Sequence, residues 1–376
     1  MTHIAMNHRE ARIESPSFSI AAFVTPHGYG HAARACGVML ALRRRFPQVH
    51  FDIFTEVPEW FFSDSLGSNF NYHPFPSDVG LVQSTPFDAD LSATLHKLND
   101  FHAHWEVLSA SAAGMLGEFK SRLVLCDIAP LGIQAARLAG VPAVLVENFT
   151  WDFIYAGYAR AEPGLFEYVE FFKKMISQVD LHIQAMPVCQ PDDRFPQVDP
   201  VARPPRTTRE EIHRRLKISP EEKVILVTTG GVQGDPGEFE FLKDYAPLGF
   251  IVPGQGGALT RDRNLIRLPH HSNYYSPDLV NASDAVISKL GYSTLAEVYQ
   301  AGLPYAYIPR DGFAETPVMA GFARKAMGAL ELQYEKFLSG EWGDLPFRLI
   351  NLPRNEPLRA DGAIRSAEIL APLINL

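Results

Sequence analysis

The chain has 376 residues, 46% of them hydrophobic and 20% charged; at roughly 100–200 residues per domain this favours two domains, and the composition excludes a disordered or fibrous protein. Its 34 Lys and Arg against 43 Asp and Glu give a net charge of −9, so no general basic field exists to hold a nucleic acid. No apolar run reaches the ~18 residues of a membrane span and the start lacks the basic-then-apolar order of a signal peptide.

Short apolar runs alternating with amphipathic stretches predict a parallel sheet covered by helices. In the first half the strands fall over 19–24, 49–54, 71–75, 122–126, 143–146 and 181–183, with helices over 31–45, 90–119 and 131–138. The stretch 186–206 holds six prolines and sustains neither a helix nor a central strand, which makes it the connector. A second α/β run follows, with strands over 224–228, 250–252, 265–268, 285–287 and 305–308, helices over 209–216, 293–301 and 318–327, and a last helix over 361–373. The reading is α/β: two Rossmann-like domains, 1–200 and 201–376, with ligand in the crevice at the strand carboxyl ends. Cys36, Cys126 and Cys189 are spaced for neither a disulfide framework nor a zinc knuckle, which fits a reducing, cytoplasmic setting.

The first strand runs into Thr25-Pro26-His27-Gly28-Tyr29-Gly30-His31-Ala32-Ala33-Arg34, where glycines allow a sharp turn and the helix start offers unpaired N–H groups. Gly28, Gly30 and Ala33 also spell the dinucleotide pattern G-x-G-x-x-A, and Asp52 stands about twenty positions on, though inside an apolar run rather than at a strand end. His31 can take a proton near neutral pH, and Asp127, ending the run LVLCD, can orient the imidazole; the alternative is a plain helix start and a helix cap. Thr229 and Gly230, after a strand of the second half, permit close approach to a phosphate. Lys289, Gly291, Ser293 and Thr294 place charge, hydroxyls and N–H groups at another helix start, suited to a diphosphate. Glu297 can grip ribose hydroxyls, but Thr294-x-x-Glu297 is equally a capping box, which the residues alone favour.

Other signals are weaker. Asp88-Ala89-Asp90 spells a metal-binding D-x-D but reads better as charge opening a helix. His102, His104, His270 and His271 lack a third zinc ligand, and no P-loop is present. Trp60-Phe61-Phe62 and Phe171-Phe172 leave peripheral membrane contact open beside core packing.

HGYGHAAR, LVLCD, ENFTWDFIYAGY, VTTGG and SPDLVNASDAVISKLGYSTLAEVYQAGLPYAYIPRDGFAETPV, taken together and in order, resemble the glycosyltransferase-like N-terminal half of plant L-arabinokinases, from about Ser19 to the last helix. More distantly they resemble GT-B transferases of the peptidoglycan N-acetylglucosaminyltransferase kind and the UDP-glycosyltransferases. The glycine-serine phosphate loop of the kinase half has no counterpart, so sugar phosphorylation is not implied. The resemblance implies two facing Rossmann-like domains, the C-terminal one holding the nucleotide sugar, with a final helix, 361–376, crossing back to the first domain. It places Gly30 and His31 on the base or acceptor-loop position and Asp127 on its aspartate partner. It also places Gly291, Ser293 and Thr294 on the diphosphate-binding helix start, Glu297 on the ribose-binding glutamate, and Asp311 and Glu315 on the loop that reads the donor sugar. In that loop D-G-F-A-E replaces the usual aspartate-glutamine or paired glutamines. His27, Tyr29, Asn148, Trp151 and Asp152 are expected on the acceptor side.

The function expected is metal-independent, cofactor-free transfer of a sugar from a nucleoside diphosphate sugar, a UDP-sugar first, to a small hydroxyl acceptor, inverting, with His31 as base. The alternatives are a nucleotide-sugar binding protein without turnover and an NAD-dependent oxidoreductase built on the glycine pattern.

Overall fold

The computed structural model describes residues 18–85, 87–229, 239–255, 257–269, 272–354 and 361–374. The first half opens with β1 (Phe18–Val24), α1 (Tyr29–Arg45), β2 (Val49–Thr55), α2 (Glu59–Leu66) and β3 (Asn71–Pro74). An antiparallel pair, β4 (Val82–Thr85) and β5 (Asp88–Asp90), precedes α3 (Leu91–Ala103) and α4 (Trp105–Glu118). Then come β6 (Ser121–Asp127), α5 (Pro130–Ala139), β7 (Ala143–Glu147), α6 (Trp151–Tyr158), α7 (Phe166–Ile176), β8 (Leu181–Ala185) and β9 (Gln197–Val198). The second half begins with α8 (Arg209–Leu216), β10 (Val224–Thr228), β11 (Gly249–Val252), β12 (Thr260–Asp262), β13 (Leu265–Arg267) and α9 (Ser276–Ala282). It continues with β14 (Ala285–Lys289), α10 (Tyr292–Ala301), β15 (Tyr305–Ile308), α11 (Thr316–Met327), β16 (Leu330–Glu331), α12 (Tyr334–Ser339), α13 (Leu345–Ile350) and α14 (Gly362–Ile374).

Two seven-stranded sheets result, ordered β3-β2-β1-β6-β7-β8-β9 and β12-β13-β11-β10-β14-β15-β16. Every pairing in them is parallel except that of β12 with β13. A strand covered by helices on both faces has no polar side to show, which is why the strands read as unbroken apolar runs. In β1, Ile20, Ala22 and Val24 join one apolar layer while Ala21 and Phe23 join another on the opposite face. In β10, Val224 and Leu226 enter the layer that holds Ile20, whereas Ile225 and Val227 face a third. That shared layer runs from the first sheet through α1, Val201 and Ala202 of the connector, and α14 to α10 and the second sheet.

The connector and α14 approach so closely that side chains are excluded. A Cβ on Gly37 of α1 would lie 2.8 Å from the Ala202 carbonyl oxygen, and one on Gly362 of α14 only 1.9 Å from that of Asp199. Helix α14 therefore lies against α1 of the first half, as well as β9.

Some elements differ from the sequence reading. The single helix expected over 90–119 is broken at His104 (φ −105°, ψ 2°) into α3 and α4. Asp88-Ala89-Asp90 forms a short strand, and Asp90 then caps α3 by accepting the Ala93 N–H at 2.9 Å. Among the described residues no three His, Cys, Asp or Glu are grouped to hold a metal. His102 is packed among Trp105, Tyr168 and Phe171, and burial lowers its pKa to about 4. Phe61, Phe62 and Phe172 are core residues, and no described helix is long and apolar enough to cross a membrane.

Candidate active site

In each sheet the chain builds outward on one side of its first long strand and then returns to the other side, which opens a crevice at the carboxyl ends of the two central strands. These are β1 and β6 in the first sheet and β10 and β14 in the second. Helix α1 starts just beyond β1, Asp127 ends β6, and Lys289 ends β14 immediately before α10. Gly28, the residue before α1, has φ 76°, a left-handed conformation that glycine adopts without a Cβ clash. The two crevices face each other: a Cβ on Gly30 would stand 3.8 Å from Ser293 Oγ.

His31 and Asp127 are brought together. The imidazole Nδ1 lies 3.0 Å from Asp127 Oδ1 and 3.2 Å from Arg34 Nη2; in the tautomer that donates from Nδ1 to the carboxylate, Nε2 keeps its lone pair. Arg34, one helical turn after His31, donates from Nε to Asp127 Oδ2 at 2.8 Å and from Nη2 to Oδ1 at 2.7 Å. It also donates to Asn148 Oδ1 and lies 4.8 Å over the Tyr292 ring. Burial raises the Asp127 pKa, but the Arg34 charge and the His31 hydrogen bond outweigh it and hold the carboxyl below its usual range. Burial lowers that of His31 despite Asp127, with Arg34 adding to the fall. The resting imidazole is thus neutral at physiological pH, and Asp127 is placed to stabilise its protonated form. The sequence reading gave Arg34 no role; its signal was the i, i+3 spacing from His31, which puts both on one helix face.

A cleft of 840 Å³ between the halves is lined by His27, Tyr29, Gly30 and His31 on one side and Lys289, Gly291, Ser293, Thr294, Arg310 and Glu315 on the other. The unpaired N–H groups and dipole at the start of α10 favour an anion here. Burial and the nearby Arg310 charge push Lys289 down to about 7, with Glu315 opposing. Glu315 is buried and reaches Arg310 at 3.4 Å through Oε1. Its Oε2 and Thr316 Oγ1 find no hydrogen-bond partner among the described residues.

Glu297 neither caps α10 nor opens to the cleft. Its Oε1 accepts from Arg203 Nη2 at 2.9 Å and Nε at 3.1 Å, and its Oε2 from Ser276 Oγ at 3.3 Å. The capping box fails because the residue before α10 is Gly291, with no side-chain cap.

The other expected residues divide. His27 is clamped by Leu81, whose N–H reaches Nδ1 at 3.2 Å; burial and the charges of His31, Arg310 and Lys289 lower its pKa well below the usual value. Trp151 and Asn148 stand behind the wall: Trp151 is buried edge-on to His27 at 5.3 Å, and Asn148 holds Arg34. Asp152 Oδ1 is buried without a partner among the described residues. Thr229 follows β10, outside the walls of both cavities, while its neighbour Thr228 lines a second cavity. Asp311 is exposed, and Gly230 lies outside the described residues. Sequence reasoning missed Asp78, a buried cleft residue that accepts from Trp151 Nε1 and is raised to about 7, chiefly by burial. Asp52, the acidic residue of the dinucleotide pattern, is buried and bonded to Ser19, Asn71 and His73. Its carboxylate cannot grip a ribose.

No family model matches the sequence. The chain is 28% identical over 361 residues to an L-arabinokinase of Arabidopsis thaliana, a match covering 94% of this chain and 34% of that protein, so it spans about a third of the relative's length. Among solved structures it is similar to a UDP-glucosyltransferase of Polygonum tinctorium, with a TM-score of 0.65 and 12% identity over 96% of this chain and 99% of that one. It is also similar to the calicheamicin glycosyltransferase, with a TM-score of 0.62 and 16% identity over 96% and 99% of the respective chains. Two parallel α/β halves, a cleft between their switch points and these likenesses together give the chain the GT-B fold.

Proposed function

We propose that the chain transfers a glycosyl group from a nucleoside diphosphate sugar, a UDP-sugar first, to a hydroxyl on a small acceptor, with inversion. The observation that carries this reading is His31, paired with Asp127, facing the helix start of α10 across one cleft. His31 Nε2 takes the acceptor O–H proton as that oxygen bonds to the anomeric carbon. The bond from that carbon to the diphosphate oxygen breaks, and its electron pair leaves with the diphosphate. Lys289 and the hydroxyls and N–H groups of Ser293 and Thr294 receive the departing charge. Asp127 stabilises the imidazolium until it loses its proton, and Glu315 meets the donor sugar. The similarity to sugar transferases supports the same reading.

The test is release of nucleoside diphosphate from a panel of UDP-, dTDP- and GDP-sugars with mixed hydroxyl acceptors, beside thermal unfolding with each nucleotide and with NAD. A nucleotide at about a hundred times its dissociation constant adds about 2.7 kcal/mol of stability. Donor-dependent release that His31→Ala abolishes while binding persists supports the reading. Binding without transfer or hydrolysis would favour a sugar-nucleotide sensor, and a shift with NAD alone would sink the transferase.

A further inference from the structure

We propose that the nucleoside diphosphate is held by both halves of the chain at once, and that Tyr29, on the first half, covers the nucleoside where it leaves the diphosphate. The proposal rests on the donor reading above. A second cavity, of 390 Å³, opens beyond the carboxyl ends of the second sheet, where Thr228 ends β10 and Pro253 follows β11. That half does not wall it alone: Trp60 and Phe61, in the first turn of α2, line it from the first half. Among the described residues, Ser293 and Thr294 at the start of α10 and Tyr29 at the start of α1 line both this cavity and the main cleft.

A ligand that seats its diphosphate at the start of α10 and its base in the second cavity therefore passes Tyr29. The backbone puts the ring there: Gly28, at φ 76°, turns the chain beyond β1, and α1 starts with Tyr29. Its neighbour Gly30 stands against the facing helix, where a Cβ would lie 3.8 Å from Ser293 Oγ. The Tyr29 ring is ordered by its own half. It stacks on Phe61 at 5.1 Å, 20° from parallel, and meets Trp60 edge-on at 5.5 Å. A ring already ordered loses little freedom when a flat base packs against it, and every base offers a π face, so the contact holds whichever base binds. The sequence reading expects Tyr29 on the acceptor side; its place in both walls assigns it to the donor.

The experiment is calorimetric titration of the full chain, Tyr29→Ala and Tyr29→Phe with UDP, GDP and inorganic pyrophosphate. Whichever nucleotide binds is expected to lose about tenfold in affinity in Tyr29→Ala and to stay within about threefold in Tyr29→Phe, which keeps the ring. Pyrophosphate, which fills the diphosphate end alone, should stay within about threefold in both variants. Unchanged nucleotide affinity in a folded Tyr29→Ala would overturn the proposal, as would an equal loss for pyrophosphate, the mark of a wall merely loosened. A loss confined to the acceptor KM would overturn it too, and return Tyr29 to the acceptor. Should Tyr29→Ala not fold, Trp60 decides. It is 42% exposed, whereas Trp105, Trp151 and Trp342 are at 8% or less, so bound nucleotide should shield the unmodified chain's fluorescence from acrylamide; quenching unchanged by saturating nucleotide would overturn the proposal. Failure of every nucleotide to bind is a different outcome: it overturns the donor reading itself, and this proposal with it.

Discussion

At the end of β6 both oxygens of Asp127 are engaged by His31 and Arg34, whereas beyond β15 one oxygen of Glu315 and the hydroxyl of Thr316 are buried with no partner among the described residues. The two crevices share a topology and differ in how far the chain itself completes them. On the first side, the chain itself fixes the orientation and charge of the pair. On the second, a carboxylate oxygen and a hydroxyl are left over among the described residues.

The largest break in this comparison should come from His31→Ala. Transfer is expected to fall about 10²–10⁴-fold, while nucleotide affinity in titration calorimetry stays unchanged; equal loss of both would mean the first crevice is not specialised for proton transfer. Next, Asp127→Ala leaves Arg34 buried without its counterion and should cost about 3–5 kcal/mol in denaturant unfolding. Because the folded Asp127 pKa lies below the usual value, its stabilisation is present at neutral pH and is lost as pH falls below the ordinary aspartate range toward the folded value.

Protonation separates the two sides further. His31, lowered from its usual value, should set an activity limb that falls off below the ordinary histidine range, leaving turnover flat near neutrality. Lys289, held at about 7, should weaken diphosphate binding as pH rises through that value, by at most about tenfold per unit, and Lys289→Met should flatten the profile. Thr316→Val is the smallest expected change. It removes a buried, unpartnered hydroxyl at constant shape and should be neutral or stabilising by about 1 kcal/mol in thermal unfolding.

Much of this was written locally in the sequence. Strands buried on both faces announce themselves as apolar runs, so β1, β2, β10 and β15 were placed almost to the residue. Helices α2, α6 and α7 were missed because they are aromatic-rich and short enough to resemble buried strands or loops. His31 and Asp127 were legible because each ends a strand-and-turn signal. The Arg203–Glu297 pair was not, because Arg203 lies in the proline-rich connector, with no strand-and-turn signal to place it. A carboxylate at the expected position says what it can bind, and only the fold says what it already holds.

Tyr292 begins the helix of the second half, yet its ring lies 4.8 Å from the Arg34 guanidinium and its hydroxyl accepts the Val201 N–H at 3.0 Å. One side chain thus touches the first half's charge network and the connector at once. This limits modular exchange: replacing the second half of the chain with another would take the cover of Arg34 away with it. A graft lacking an aromatic ring and hydroxyl at position 292 would leave a buried guanidinium bare on one face and an N–H unanswered, so a working chimera must place its junction to preserve that residue.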